Sequence, residues 1–224
     1  MTGSALEMGR YYRETISQLD RASGGKVRAV KGALVETLAE DLVRLAWASL
    51  QRPADDLDFT KRTYPIPVRD PERYAKRIAD PDARRWFREN VGSCVYKAKA
   101  DVHVRVRGEL RLAIECKAYT ENAMFKRILV DFAMLREAVP DVRCALVQLE
   151  SQLGGDYSDL GITHPRGSPS THVLQSRFDV EIEILTLLAG ERKVDHPIHN
   201  PEYFKPLTEA AVVNAADRLS RLLE

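Results

Sequence analysis
The chain has 224 residues, with 34 Lys and Arg against 33 Asp and Glu, a formal charge of +1, and 44% hydrophobic residues. This composition belongs to a soluble globular chain, predicts one domain over 1–224, and excludes disordered, fibrous and membrane-spanning classes. The opening MTGSALEMGRYYRE lacks an apolar signal core, and Cys94, Cys116 and Cys144 form neither a CxxC zinc motif nor an even disulfide set. Reduced thiols in a cytoplasm, with no membrane partner, are therefore expected.

Charge is unevenly spread. Residues 61–110 carry 13 Lys and Arg against 7 acids, an excess that could face phosphates as well as serve as a solvated helix face.

Gly24-Gly25 separates a short arm (11–19) from an expected helix at 30–50, where Leu34, Leu38, Leu42, Leu45 and Leu50 recur at helical spacing and Pro53 ends the pattern. Pro65, Pro67, Pro71 and Pro81 break the next stretch into short pieces. Val102, Val104 and Val106 then alternate with His103, Arg105 and Arg107; beyond Gly108-Glu109, Leu110, Leu112 and Ile114 alternate with Arg111, Ala113 and Glu115. Two such runs predict a β-hairpin. A helix is expected at 121–139, with Thr120 as N-cap and Pro140 as stop. Residues 142–149 read as a strand covered on both faces, 180–188 as another strand, and 207–223 as an amphipathic helix. The sequence 154–177 holds four Gly and two Pro and reads as a long loop. Helix, hairpin, helix, strand, strand, helix is an α/β pattern.

The hairpin carries the chemistry. Alternation puts Glu115 and Lys117 on one strand face, and a slip of one residue would turn every apolar side chain outward. Matching the valines to Leu112 and Ile114 requires an odd loop of three residues, 107–109 or 108–110. Asp101 then lies across from Glu115 or from Lys117, about 5 Å away between Cβ atoms. Two adjacent carboxylates repel unless a divalent cation lies between them, and oxygen-only ligands with room for water suit Mg²⁺. A neighbouring lysine can orient a bound water and stabilise charge on a phosphate.

Asp101, Glu115 and Lys117 resemble the PD-(D/E)XK nuclease motif, over about 31–150, although Ala100 stands where the motif's Pro would be. The resemblance implies a mixed central β-sheet flanked by helices, a restriction-endonuclease-like core with loop insertions for DNA recognition. It implies that Asp101, Glu115 and the Cys116 carbonyl hold Mg²⁺, with Mn²⁺ able to substitute, and that Lys117 positions the attacking water. The stretch 31–36 (KGALVE) resembles the first-helix pattern in which Glu36 joins the metal shell, with Glu40 in reserve. A second acidic-x-Lys, Glu191-Arg192-Lys193 with Asp179 before it, lacks an alternating second strand.

Other groups are weaker. Lys126 and Arg127 stand near the start of the following helix, where a phosphate could bind. His196 and His199 lack a third zinc ligand, and His103 is either near the phosphate or an ordinary polar strand residue. In the 154–177 loop, Thr163, His164, Arg166, Ser168, Ser170, Thr171, His172, Gln175 and Arg177 could read base edges. The 61–99 stretch, including Lys97 and Lys99, could clamp the backbone. A chain of this size with one catalytic core resembles type II restriction endonucleases. That resemblance implies a site-specific double-strand DNA endonuclease acting as a homodimer through the N-terminal arm or the last helix, with a cognate methyltransferase as a separate protein. A structure-specific repair or recombination nuclease and a non-catalytic DNA-binding protein are the alternatives.

Overall fold
The hairpin organises the protein, whose computed structural model describes residues 2–20, 24–158 and 166–224. Val102–Val106 (β4) pairs antiparallel with Glu109–Glu121 (β5), setting Val102 against Ile114 and Val104 against Leu112. Val102, Val104, Leu112 and Ile114 therefore share one buried face as expected, but by a different device, and Leu110, expected with them, falls on the opposite face. The loop has two residues, Arg107 and Gly108, both with positive φ (52° and 83°), as a twist-matched hairpin turn requires. The odd residue is taken up instead by a bulge at the shift between Val104 and Arg105, which leaves Arg111 between the paired Leu110 and Leu112.

Around this hairpin lies a five-stranded mixed sheet in the order β1-β4-β5-β6-β7, where β1 is Leu57–Thr60, β6 Arg143–Gln152 and β7 Ile182–Thr186. β1 runs antiparallel to β4, whereas β6 and β7 run parallel to β5. The protein is thus the α/β type expected, with a mixed central sheet flanked by helices. One face carries Thr2–Ser17 (α1), Gly24–Ser49 (α2) and Glu209–Leu223 (α7), over Val104, Leu112, Ile114 and Val147. The other carries Asn122–Ala138 (α5) and a two-stranded ribbon of Tyr64–Pro67 (β2) and Val95–Ala98 (β3). Each fully buried leucine or isoleucine in these layers contributes about 1.5–3 kcal/mol by leaving water.

Several boundaries differ from expectation. The arm is a full helix, because Ala5, Met8, Tyr12 and Ile16 recur every three or four residues and are all buried. α2 begins at Gly24, since Val27 is already buried one turn in. Thr120 does not cap α5: β5 runs on to Glu121, which takes the N-cap position, and Thr120 is buried in the strand. The proline-broken stretch contains ordered elements, the β2-β3 ribbon and the short helices Pro71–Ala75 (α3) and Pro81–Asn90 (α4), capped by the Asp70 and Asp80 carboxylates. Pro65 and Pro67 are accommodated because β2 has a strand on one side only. Within 154–177 a helix appears, Pro169–Arg177 (α6), capped by Ser168; Thr163 and His164 lie outside the described residues.

Gly154 anchors α6. Its φ is +90°, its carbonyl accepts from the Gly167 N–H at 2.6 Å, and a Cβ there would stand 2.5 Å from the Ser168 nitrogen. Gly154→Ala should therefore lower unfolding stability by about 1–3 kcal/mol, measured by urea denaturation. An unchanged midpoint would show that the crossing is not tight.

Candidate active site
β5 presents Glu115 and Lys117 on the α5 face of the sheet, and the turn into β4 brings Asp101 across to them. The Lys117 ammonium donates to Asp101 Oδ2 at 2.8 Å, to Glu115 Oε2 at 2.6 Å and to the Cys116 carbonyl at 3.1 Å. Three oxygens from three successive or facing residues thus converge on one point. The Cys116 N–H also donates to Asp101 Oδ2 at 2.8 Å, fixing that carboxylate to the β5 backbone.

The two acids share the environment unequally. Burial pushes Glu115 up to about 7, with Asp101's charge adding to the rise and Lys117 opposing it. Burial also works to raise Asp101, but the Lys117 hydrogen bond and charge and the Cys116 N–H outweigh it, and Asp101 falls below its ordinary value. The difference has a structural reason: Asp101 has a backbone donor and Glu115 has none among its hydrogen bonds. Lys117 is raised: burial alone would lower it, and its two carboxylate partners more than compensate. Cys116, almost wholly buried, has a thiol pushed far up, so only its backbone takes part.

Glu36 stands at the edge of this cluster. Lys61, just beyond β1, pairs with its carboxylate and also feels the charge of Asp101. Glu40, one turn on, is bound by Arg44 at 3.0 Å. Among the described residues no three His, Cys, Asp or Glu side chains gather closely enough to form a metal site by themselves. The donors on offer are two carboxylates and a carbonyl, with Glu36 outside them. An all-oxygen set converging on a bound cation fits a hard divalent ion, and here the ammonium of Lys117 occupies the point of convergence.

The other sequence candidates divide clearly. Lys97 lies exposed on β3, with Lys99 exposed just after it; Lys126 and Arg127 are exposed on the first turns of α5. Tyr96 ties the ribbon to α5 by donating to Asp131 at 2.7 Å. Ser170, His172 and Arg177 are exposed on α6, and Arg166 is exposed before it. α6 is held at the start of α5, where Asn122 donates to Ser168 Oγ at 3.1 Å. Thr171 departs from the expectation: it is fully buried, and its hydroxyl proton has Asn122 Oδ1 at 2.7 Å and the Leu153 carbonyl at 2.6 Å as acceptors, so it holds the helix in place from within. His103 is also inward. It is fully buried, its Nε2 accepts from the Ala100 N–H at 3.0 Å, and burial keeps it neutral, so it shapes the turn into Asp101. His199 lies 3.2 Å from Lys31 and His196 stacks on Tyr203. The rival tripeptide has no hairpin: Glu191 makes a single parallel bridge to Ser151. Lys61, the first residue of the basic 61–99 stretch, is thus turned to a carboxylate, and no local pattern links it to Glu36, 25 positions away.

An α/β sheet whose central hairpin aims two acids and a lysine at one point, flanked by exposed cations, has the design of a nucleic-acid hydrolase. The chain is 44% identical over 190 residues, 84% of its length and 78% of the relative's, to the type II restriction enzyme DdeI of Desulfomicrobium norvegicum. It belongs to the type II restriction enzymes and is a site-specific DNA endonuclease. No protein-family model and no solved structure matches it. Among the described residues no helix is long and apolar enough to cross a membrane.

Proposed function
We propose that this endonuclease is a PD-(D/E)XK enzyme that cuts both strands of duplex DNA with Mg²⁺, for which Mn²⁺ can substitute. The convergence of Asp101 Oδ2, Glu115 Oε2 and the Cys116 carbonyl on one cation position supports this most directly. When bound there, a divalent ion supplies charge neutralisation at the phosphate and a more acidic water. Asp101, kept ionised, is the firm anchor of that site, and the Cys116 N–H prevents it from turning away. Lys117 is the one cationic donor within the cluster, suited to orient the attacking water and stabilise negative charge on the phosphate. Glu36 completes the acidic rim from α2.

Lys97, Lys99, Lys126 and Arg127 would meet phosphates, and Ser170, His172 and Arg177 on α6, with Arg166 just before it, would face the bases; Thr171 supports them from within. The enzyme would act as a homodimer beside a separate methyltransferase in a cytoplasm. α7 spends its apolar side, including Val212, Ala216 and Leu219, on the protein's own core, whereas α1 shows Leu6 and Tyr11 to solvent, which favours α1 for the second copy. The test is digestion of supercoiled plasmid with and without Mg²⁺. Discrete, sequenceable ends that depend on the metal support the reading, and a random smear or metal-independent cutting overturns it. Replacing Lys97 and Lys99 together by Ala should weaken binding to all sequences alike and flatten the salt dependence of log K by about 1–2, measured by fluorescence anisotropy over a salt series. An unchanged slope would remove them from the phosphate contacts.

A further inference from the structure
On the α5 face of the sheet, three polar residues stand in one row across three parallel strands. Lys117 on β5 is the register partner of Gln148 on β6, and Gln148 is the partner of Thr186 on β7. Parallel partners share a face, so Lys117 and Gln148 are side by side at the spacing of adjacent strands, about 4.8 Å. Gln148 is fully buried between Lys117 and Thr186, with Leu146 and Cys144 before it on the same face. Its Nε2 donates to Thr186 Oγ1 at 2.9 Å, which holds the amide, but its Oε1 has no hydrogen-bond partner among the described residues. A buried acceptor left unpaired is a standing cost of folding, and one next to a catalytic lysine calls for a reason.

Lys117 supplies that reason. All three acceptors of its ammonium are the oxygens proposed for the metal: Asp101 Oδ2, Glu115 Oε2 and the Cys116 carbonyl. When those oxygens turn to a divalent cation, the ammonium must leave the point it occupies and would be a half-buried charge with no acceptor. We infer that Gln148 is a positioning residue, whose Oε1 receives the displaced Lys117 ammonium and holds it beside the cluster, with Thr186 fixing the amide from the other side. Lys117 then has two stations, one on the carboxylates and one on Gln148. The flexible four-carbon stem of lysine spans the distance between neighbouring strands. The inference rests on the metal reading of Asp101 and Glu115.

The consequence is a coupling between Gln148 and Lys117 that appears in metal binding itself. The full-length protein, without DNA, is titrated with Mn²⁺ by calorimetry. Gln148→Met, which keeps the length of the side chain and removes the acceptor, should weaken Mn²⁺ binding about five- to tenfold, and Gln148→Glu, which keeps an acceptor, should not. In a Lys117→Met background the same Gln148→Met change should alter the affinity by less than about twofold, since no ammonium then needs a second station. Thermal unfolding of each variant separates loss of binding from loss of fold. Equal weakening in both backgrounds, or none in either, overturns the role of Gln148 and leaves the metal reading intact. Mn²⁺ binding that persists unchanged in Asp101→Asn overturns the metal reading, and this inference with it.

Discussion

Lys117→Ala is expected to reduce cleavage by about 10²–10⁴-fold, measured as single-turnover strand scission with saturating enzyme. Its binding to duplex DNA in Ca²⁺ should remain within a fewfold of the parent, because the half-buried Lys117 is turned to Asp101 and Glu115. The same change has a second, thermodynamic signature. Without the ammonium, Asp101 and the largely buried Glu115 face each other with no cation between them, and removing one partner of such a cluster is strongly destabilising. The metal-free variant should therefore melt lower than the parent at pH 8, and Mg²⁺ should raise its midpoint by more than it raises the parent's. Wild-type cleavage by the variant would remove Lys117 from the chemistry. A melting point with no extra response to Mg²⁺ would show that the cation does not replace the ammonium.

How much of the fold and the site was visible in the sequence depends on the distance over which each feature is written. Alternation of Val102, Val104, Leu112 and Ile114 is a local pattern, and the sheet obeys it because inverting it would take four apolar side chains out of the α2 layer at once and put His103 and Glu115 in their place. The route to that register was hidden: nothing in the alternation marks Arg107 for positive φ or Arg111 for a bulge, and the bulge sends Leu110 to the α5 side while Leu112 and Ile114 stay under α2. His103 shows the limit from the other side. Alternation rightly separates it from the valines, but α5 and the β2-β3 ribbon cover its face as well, and a residue read as polar surface lies in the interior. Thr171 differs for a related reason, because a hydroxyl that ties a helix to its neighbours and one that reads DNA look alike in sequence. Contacts that join distant segments, such as Lys61 with Glu36 or Gln148 with Thr186, have no sequence signal at all.

Opposite shifts at Asp101 and Glu115 lead to opposite responses to neutralisation. Glu115 has an ordinary value of 4.5 and is raised to about 7 in the folded protein, with burial as the main cause. A raised carboxylate contributes stability that is fully present below the unfolded value and is lost as the pH rises through about 7. At pH 8 the ionised Glu115 is therefore a burden on the metal-free fold, and Glu115→Gln should relieve it. The melting temperature should rise by about 2–4 °C for each kcal/mol relieved, and by much less at pH 5, where Glu115 already carries its proton. Asp101 is lowered, so its stabilisation is present above its ordinary 3.8 and is lost only as the pH falls below that value. Asp101→Asn should accordingly lower the melting temperature at pH 8. Both variants should lose cleavage by about 10²-fold or more, together with stabilisation by Mg²⁺. A gain of stability with a loss of cleavage in the same Glu115 variant is what a cation site prepared in advance predicts, because the energy held by Glu115 would be released when a divalent ion neutralised it. Differential scanning calorimetry at pH 5 and 8 distinguishes the two residues, and a fall in melting temperature for Glu115→Gln at pH 8 would refute the division of roles.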